Sequence, residues 1–565
     1  MSNQRKWQTR ISFPRPFMAL RGIDQVDWMN EVLAGITLAA LVIPLNIGYA
    51  DVAGLPPHVG LYAGIVPMIA YAIFATSRHV IASPDAAIAA LIGSLLTILA
   101  VPGSERYVEL ALALAILCAL FFALFWFFRL GFLANYLSRA VLVGLIAGLG
   151  IEVLFSQIRK MMGISVEAEG FFREVAATVR AIPETNWYSL ALGLGSIAIV
   201  RLLRRVTSKV PGALVALLVA TFAVSIFNLT AYGVKVLGDI PPGLPHLTIP
   251  HVTFAEWMTL VPAALAIVVL TLAEGLLLAR RYAQNHGYKV DPDQEEFAYG
   301  AGNLAAGLTG ALVLGSSASR TAAMDDAGAR TQWPSIVSAA LITIVLMFFT
   351  EQLANLPTAA LAGIVANAVL KLIDLDEFRE LYRLRRSEFT IALICTLCLL
   401  ILGTLPGLTI AFLLTTIEVV RHAANPRTSI LIENPDHQTY KAGQVGDRQI
   451  SAQDIIVYRF GGPLFFANAP VFQQDVEAII EFNGDALRCF ILDAESVHDI
   501  DTTGVEALER AIELFKEKHI RLLISRASPP VPELLAHYGL LDQIGRDNLF
   551  DTNRAAIAAY KEATG

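Results

Sequence analysis

The chain runs to 565 residues, of which 55% are hydrophobic and 16% charged, with a formal net charge of −7 and a mean hydropathy of +0.58. A soluble globule of this size needs far less apolar surface, so the composition excludes one and points to an integral membrane protein. The modest negative charge, spread through loops and tail, excludes nucleic acid as a partner.

The opening stretch, MSNQRKWQTRISFPRPF, is basic but is not followed by a short apolar core and a small-residue cleavage site, so it does not read as a removable signal peptide. Apolar segments then recur near residues 32–50, 59–75, 85–101, 109–128, 139–157, 187–200, 211–228, 257–279, 296–313, 318–329, 333–350, 357–373, 388–403 and 406–420. A crossing needs roughly 20 apolar residues. The segments at 85–101 and 318–329 fall short and read as half-helices that stop inside the protein. Non-helical backbone at membrane depth survives only where protein buries it or it lines a cavity, which makes these two places the candidate binding site.

Basic residues set the orientation. Arg5, Lys6 and Arg10, then Arg129 and Arg139, Arg201 to Lys209, Arg280 and Arg281, Arg330, Lys371 to Arg386, and Arg421 all fall on one side of a fourteen-segment topology. Arg159 and Lys160 fall opposite. The expectation is an even number of crossings in a plasma membrane, with both termini and the tail in the cytoplasm. The membrane domain is assigned to residues 1–424 and the tail to residues 425–565, joined by the short link RHAANPRTS.

The tail alternates strand and helix. DIIVYRF, LRCFILDAESV and IRLLISRAS are rich in β-branched and aromatic residues, while VFQQDVEAIIEF and TGVEALERAIELFKEK are amphipathic, so a small α/β sheet domain is expected. The four cysteines, Cys118, Cys395, Cys398 and Cys489, lie in apolar surroundings and read as buried thiols; Cys395 and Cys398 form a CxxC by spelling only, with no second ligand pair. No metal-ligand spacing, phosphate loop or nucleophile triad points to an enzyme, a metal or a cofactor.

Three stretches carry a family resemblance. LAGITLAALVIPLNIGYADVAGLPPHVGLYAGIVPMIAYAIFATSRHVIASP resembles the signature region of the SulP anion-transporter family, GSSASRTAAMDDAGARTQ resembles its second signature, and the tail resembles its STAS domain. The resemblance implies an α-helical polytopic domain of fourteen segments built as a 7+7 inverted repeat, a core moving against a gate, a homodimer, and an anion site between the facing N-termini of the third and tenth segments. It also implies that Leu45 and Tyr49 of the first segment face that site.

The residues lead to the same place. Half-helices starting near Pro84 and near Ser316 would each offer unpaired N–H groups and the positive end of a helix dipole, worth about half an elementary charge. Two such ends facing each other suit an anion. Pro84 fits a first helical position, with Asp85 and Ala86 behind it. Ser317, Ala318 and Ser319 are flexible backbone and hydroxyl donors where an oxyanion would sit, unless the serines only cap the helix. Arg320 adds a permanent charge.

Asp85 departs from the family pattern, which places an apolar or aromatic residue after the proline; it is either a simple acid at a helix start or a site residue. Glu274 is a second in-membrane acid, which must be neutral, paired, for instance with Arg320, or coupled to a cation. The family resemblance implies coupling there. Ser77, Arg78 and His79 read as an anchoring turn, and Asn303, Asn367, Asp325 and Asp326 as polar groups satisfying neighbouring helices. In the tail, HDIDTTGVEALERA resembles the STAS loop that carries a phosphorylated hydroxyl in bacterial anti-sigma-factor antagonists, which would place a regulatory site at Thr503; Asp501, Thr502 and Thr503 equally suit a helix cap.

The reading is a secondary active transporter of a small anion (sulfate, bicarbonate or a C4-dicarboxylate), coupled to a cation, proton rather than sodium, and moving like an elevator in membrane lipid. A nucleobase:cation symporter of the same membrane fold and a membrane-anchored STAS signalling scaffold are the alternatives.

Overall fold

The structure, a computed structural model, describes residues 14–21, 28–130, 139–164, 170–206, 211–238, 240–241, 243–370, 372–434, 440–445 and 454–564. The basic opening residues Arg5, Lys6 and Arg10, together with Lys209 and Lys371, lie outside the described residues. The chain forms two compact units, Met1–Thr415 and Thr416–Gly565.

The first unit is helical. Its helices are α1 Trp28–Val52, α2 Pro57–Ala63, α3 Val66–Phe74, α4 Ala86–Leu96, α5 Glu105–Phe128, α6 Arg139–Met161, α7 Phe171–Arg180, α8 Trp187–Val206, α9 Gly212–Ile226 and α10 Phe254–His286. They continue as α11 Pro292–Leu308, α12 Ala318–Asp326, α13 Trp333–Phe348, α14 Thr350–Ala354, α15 Thr358–Val369, α16 Leu375–Leu384, α17 Arg386–Leu402 and α18 Thr404–Ala424, whose last turns reach into the second unit. Two short strands, β1 Ala82–Ser83 and β2 Gly315–Ser316, precede α4 and α12.

Every expected apolar segment holds a helix, and the segment at 59–75 holds two. Gly64 ends α2, and Pro67, which lacks an N–H, falls within the first turn of α3. Trp28–Val52, Pro57–Phe74, Glu105–Phe128, Arg139–Met161 and Phe254–His286 are long and apolar enough to cross a membrane by themselves. Short helices α7 and α16 are additions: their charges mask an apolar stripe at helical spacing, and Asp374 caps α16 by accepting from the N–H groups of Asp376 and Glu377. Small residues let backbones approach. A β-carbon on Gly144 of α6 would lie 2.3 Å from the Ala392 carbonyl oxygen of α17, so only glycine permits that crossing.

The second unit is a six-stranded sheet in the order β4-β3-β5-β6-β7-β8, from β3 Arg427–Glu433, β4 Tyr440–Gly443, β5 Ile455–Gly461, β6 Cys489–Asp493, β7 Arg521–Ser525 and β8 Leu549–Phe550. β5 to β8 run parallel, and β3 is antiparallel to both β4 and β5. The three expected strands are β5, β6 and β7. Residues assigned to the link belong instead to the end of α18 and the start of β3, leaving only Asn425 and Pro426 between them. Strand alternation splits the apolar residues between two faces. Ile456, Tyr458, Phe490 and Leu492 pack with α19 Ala469–Asn483 and α20 Thr502–Glu517, while Ile455, Val457, Cys489 and Ile491 pack with Ile557 and Tyr560. Short helices α21 Val531–His537 and α22 Leu540–Ile544 and the terminal α23 Asn553–Thr564 complete it.

Candidate functional site

β1 and β2 pair antiparallel, buried within the helical unit, with Ala82 opposite Ser316 and Ser83 opposite Gly315. The Ser317 N–H extends the ladder to the Ile81 carbonyl at 3.1 Å. This two-residue sheet satisfies extended backbone that would otherwise be unpaired, and its antiparallel sense sends α4 and α12 away in opposed directions with their N-termini at the crossing. Neighbouring helices hold it. Asn303 of α11 accepts from Leu314 N at 3.0 Å and donates to Leu314 O at 3.2 Å, as expected of a polar group serving its neighbours, and the Thr321 hydroxyl accepts from Ile81 N at 3.0 Å.

The half-helix starts differ in detail from the expectation. Pro84 is not the first helical residue: Asp85 is the N-cap, in extended conformation, with Oδ1 accepting from Ala87 N at 3.0 Å, and Ala86 begins α4. A proline at a cap position would forfeit the acceptor that Asp85 supplies to the first turn. On the other side α12 begins at Ala318, the start of the expected segment at 318–329 and just after the start expected near Ser316, with Ser317 at the cap position making no side-chain cap bond. The serine is therefore not there as a hydroxyl cap, and the first-turn N–H groups of α12 are not taken by it.

Arg320 is fully buried. Its Nη1 donates to the Pro84 carbonyl at 2.8 Å and Nη2 to Asn46 Oδ1 at 2.9 Å, and its guanidinium lies 5.5 Å from the centre of the Tyr49 ring. One side chain of α12 thus ties down the residue before the α4 cap and a polar group of α1. Asn46, buried in the apolar α1, went unnoticed in the sequence although an amide amid IPLNIGYA is the kind of signal that marks a site; it also accepts from Ser83 Oγ at 3.2 Å and donates to the Gly60 carbonyl at 3.0 Å. Thr271 of α10, another buried hydroxyl, was missed as well and faces β2 at Gly315.

Tyr49 is buried within the electrostatic reach of both Asp85 and Arg320. Glu274, in the middle of α10, lies within reach of Asp85, and both carboxylates are only partly buried. Among the described residues no ion pair joins Glu274 to Arg320, whose donors go to Asn46 and Pro84. Leu45 is buried in α1. The two half-helices differ in access: residues 86–92 of α4 are buried throughout, whereas α12 exposes Ala318 and Ser319 and partly exposes Ala322 and Ala323, one face at helical spacing. The structure therefore brings Tyr49, Asp85, Glu274 and Arg320 together beside the two helix starts, with an open face along α12. Positive helix ends, a fixed guanidinium and open hydroxyl and amide donors suit an oxyanion, and two carboxyl groups nearby can carry a proton.

The turn at residues 75–79 is an anchor. Thr76 and Ser77 donate to Glu295, and the buried His79 ring stacks on His286 at 4.1 Å. Asp325 Oδ1 lies 2.8 Å from His286 Nε2, an ion pair whenever that ring is protonated, and Asn367 accepts from Arg201 Nε at 3.1 Å. Far along the chain, Asp501 alone caps α20, accepting from Gly504 N at 2.7 Å; Thr502 and Thr503 are exposed and do not cap.

The model of the Sulfate permease family matches residues 29–395, and that of the STAS domain matches residues 450–556. A probable sulfate transporter of Mycobacterium tuberculosis is 36% identical over 545 residues, covering 95% of this chain and 96% of its own. The murine Solute Carrier 26 family member A9 anion transporter, solved in the inward-facing state, shares the fold with a TM-score of 0.88 at 22% identity, covering 97% of this chain and 94% of that one. The transmembrane domain of a cyanobacterium bicarbonate transporter, BicA, superimposes with a TM-score of 0.59 at 19% identity, covering 69% of this chain and 98% of that one.

Proposed function

The chain belongs to the sulfate permease family and is a multi-pass membrane transporter of an anion, and from that premise we propose that it is a proton-coupled symporter of the sulfate class, working as a homodimer with an elevator-like movement. One observation carries the reading: two helix starts stapled head to head by β1 and β2, with Arg320 between them and Asp85 and Glu274 beside them. The chemical logic follows from charge. Bringing an anion into a cell against an inside-negative potential costs about 2.3 kcal/mol per charge per 100 mV. A proton carried per charge offsets that cost, and a carboxyl group takes up a proton without further ligands, whereas sodium asks for several oxygens. The exposed face of α12 beside the buried α4 is what an access path open on one side of the membrane requires.

Purified protein in liposomes tests the proposal. Accumulation of labelled sulfate, bicarbonate, C4-dicarboxylate or uracil is followed with and without an inward proton gradient. Sulfate is expected to accumulate with the gradient and uracil not at all. Glu274→Gln should abolish accumulation driven by pH while sulfate counterflow persists, and Asp85→Asn should alter the pH dependence or the anion preference. If both neutral variants accumulate sulfate like the parent, the carboxylates are structural and the coupling fails.

A further inference from the structure

Helix α11 and its N-cap place Asp291, Glu295, Tyr299 and Asn303 four apart and therefore on one face, while the other polar residues of its first turns, Asp293, Gln294 and Glu296, lie off that face. Four residues rise about 6 Å, so the stripe from Tyr299 to Asp291 spans about 12 Å. Its inner end meets Glu274. A β-carbon on Gly275 would lie 2.5 Å from the Tyr299 hydroxyl, so glycine at that position of α10 makes room for the hydroxyl against the backbone next to Glu274, within that carboxyl's electrostatic reach. The hydroxyl is fully buried and completes no hydrogen bond among the described residues, although Tyr71, whose ring centre is 4.9 Å from that of Tyr299, lies beside it.

From Tyr71 the contacts are continuous. Its hydroxyl donates to Glu295 Oε2 at 2.8 Å. Glu295, 1% exposed, accepts at Oε1 from Thr76 N at 2.6 Å, Thr76 Oγ1 at 2.7 Å and Ser77 N at 2.6 Å. The Thr76 hydroxyl accepts from the backbone N–H of Asp291, the exposed cap of α11, at 3.1 Å. A carboxylate that only fixed the turn would need Oε1 alone; Oε2 is turned inward to a hydroxyl.

We propose that Tyr299, Tyr71 and Glu295 form a proton path between Glu274 and the Asp291 end of α11, separate from the anion's own route along α12. The proposal rests on Glu274 being the coupling carboxyl. The transfer balances as a relay: the Glu274 acid proton passes to the Tyr299 oxygen as the Tyr299 proton moves to Tyr71 and the Tyr71 proton to Glu295. Glu274 ends as carboxylate, Glu295 as acid, and both tyrosines are unchanged. Glu295 then gives its proton directly to water admitted at the Thr76–Asp291 turn and returns to carboxylate; the Thr76 hydroxyl, which donates to Oε1 and accepts from the Asp291 N–H, holds that turn and carries no proton. With both termini inside, that end faces the cytoplasm.

Tyr71→Phe and Tyr299→Phe keep the rings and remove only the relay atoms. In liposomes each is expected to slow sulfate accumulation driven by pH about tenfold while sulfate counterflow, which needs no net proton release, stays within twofold of the parent. Glu295→Gln, which can neither gain nor lose the proton, should do the same if it folds; the two phenylalanine variants decide the matter if it does not. Should the parent be coupled and Glu274→Gln uncoupled while both phenylalanine variants accumulate sulfate at the parent's rate, the path is refuted and the coupling role of Glu274 stands. A parent with no proton coupling removes both.

Discussion

Arg320 combines two tasks that are separable by mutation. Its two hydrogen bonds, to Asn46 and to the Pro84 carbonyl, hold the two half-helices in register, and its charge adds to the potential at their starts. Losing a buried charge-assisted contact costs about 1–3 kcal/mol, so Arg320→Ala should weaken sulfate affinity by roughly 5- to 150-fold. Arg320→Lys should recover part of that loss, since it keeps the charge but not the fork that reaches two acceptors. Isothermal titration of the detergent-purified variants, with a monodisperse elution profile as the folding check, measures both. Unchanged affinity in a folded Arg320→Ala would leave the residue a purely structural staple.

The half-helices depend on close contacts around α1 and α2. A β-carbon on Gly60 would lie 2.1 Å from the backbone oxygen of Asn46, a neighbour that cannot swing away as a side-chain tip can. Gly60→Ala should therefore push α2 from α1 at Asn46, costing about 1–3 kcal/mol by overpacking and loosening the Asn46 contacts to Arg320 and Ser83. Gly195→Ala on α8 is the matched control, because nothing lies within 4 Å of the added carbon and alanine favours a helix. Thermal melts with and without sulfate should show a lower Tm and a smaller sulfate shift for Gly60→Ala, and neither change for Gly195→Ala. Equal behaviour of the two variants would mean that α2 yields without disturbing the site.

At the scale of the whole molecule, all the residues of the proposed anion site belong to the first unit, so a protein ending at Ala424 should still bind sulfate within about threefold of the parent. Loss of binding by a monodisperse truncated protein would show that the tail completes the site. The tail has its own pH signature. Tyr458, buried on β5, donates to Asp475 at 2.7 Å, and burial followed by the nearby carboxylate raises its pKa well above the usual range near 10. The folded tail thus keeps a proton that the unfolded chain gives up. Its stabilising effect is complete below about pH 10 and fades as pH rises toward the folded value. Melting of the full chain followed between pH 9 and 11.5 should show the tail's transition falling with pH, and less steeply in Tyr458→Phe.

The sequence by itself determined the solvent of each part, the positions of the apolar segments, the two half-helices and the strands of the parallel core of the tail, because composition and periodicity are local properties that burial imposes on a run of residues. It also singled out Asp85, Glu274 and Arg320 as charged groups where lipid tolerates few, while Tyr49 was named only through the family resemblance. Only the tertiary structure decided their partners. Arg320 reaches Asn46 and Pro84, 274 and 236 residues away, rather than Glu274, and no spacing encodes such a choice. Asp85 is the cap, and Pro84, expected at the first helical position, falls before it, since the chain direction entering α4 is set by pairing with β2. The file from Glu274 through Tyr299 and Tyr71 to Glu295 joins α10, α11 and α3, so it exists only once those helices pack.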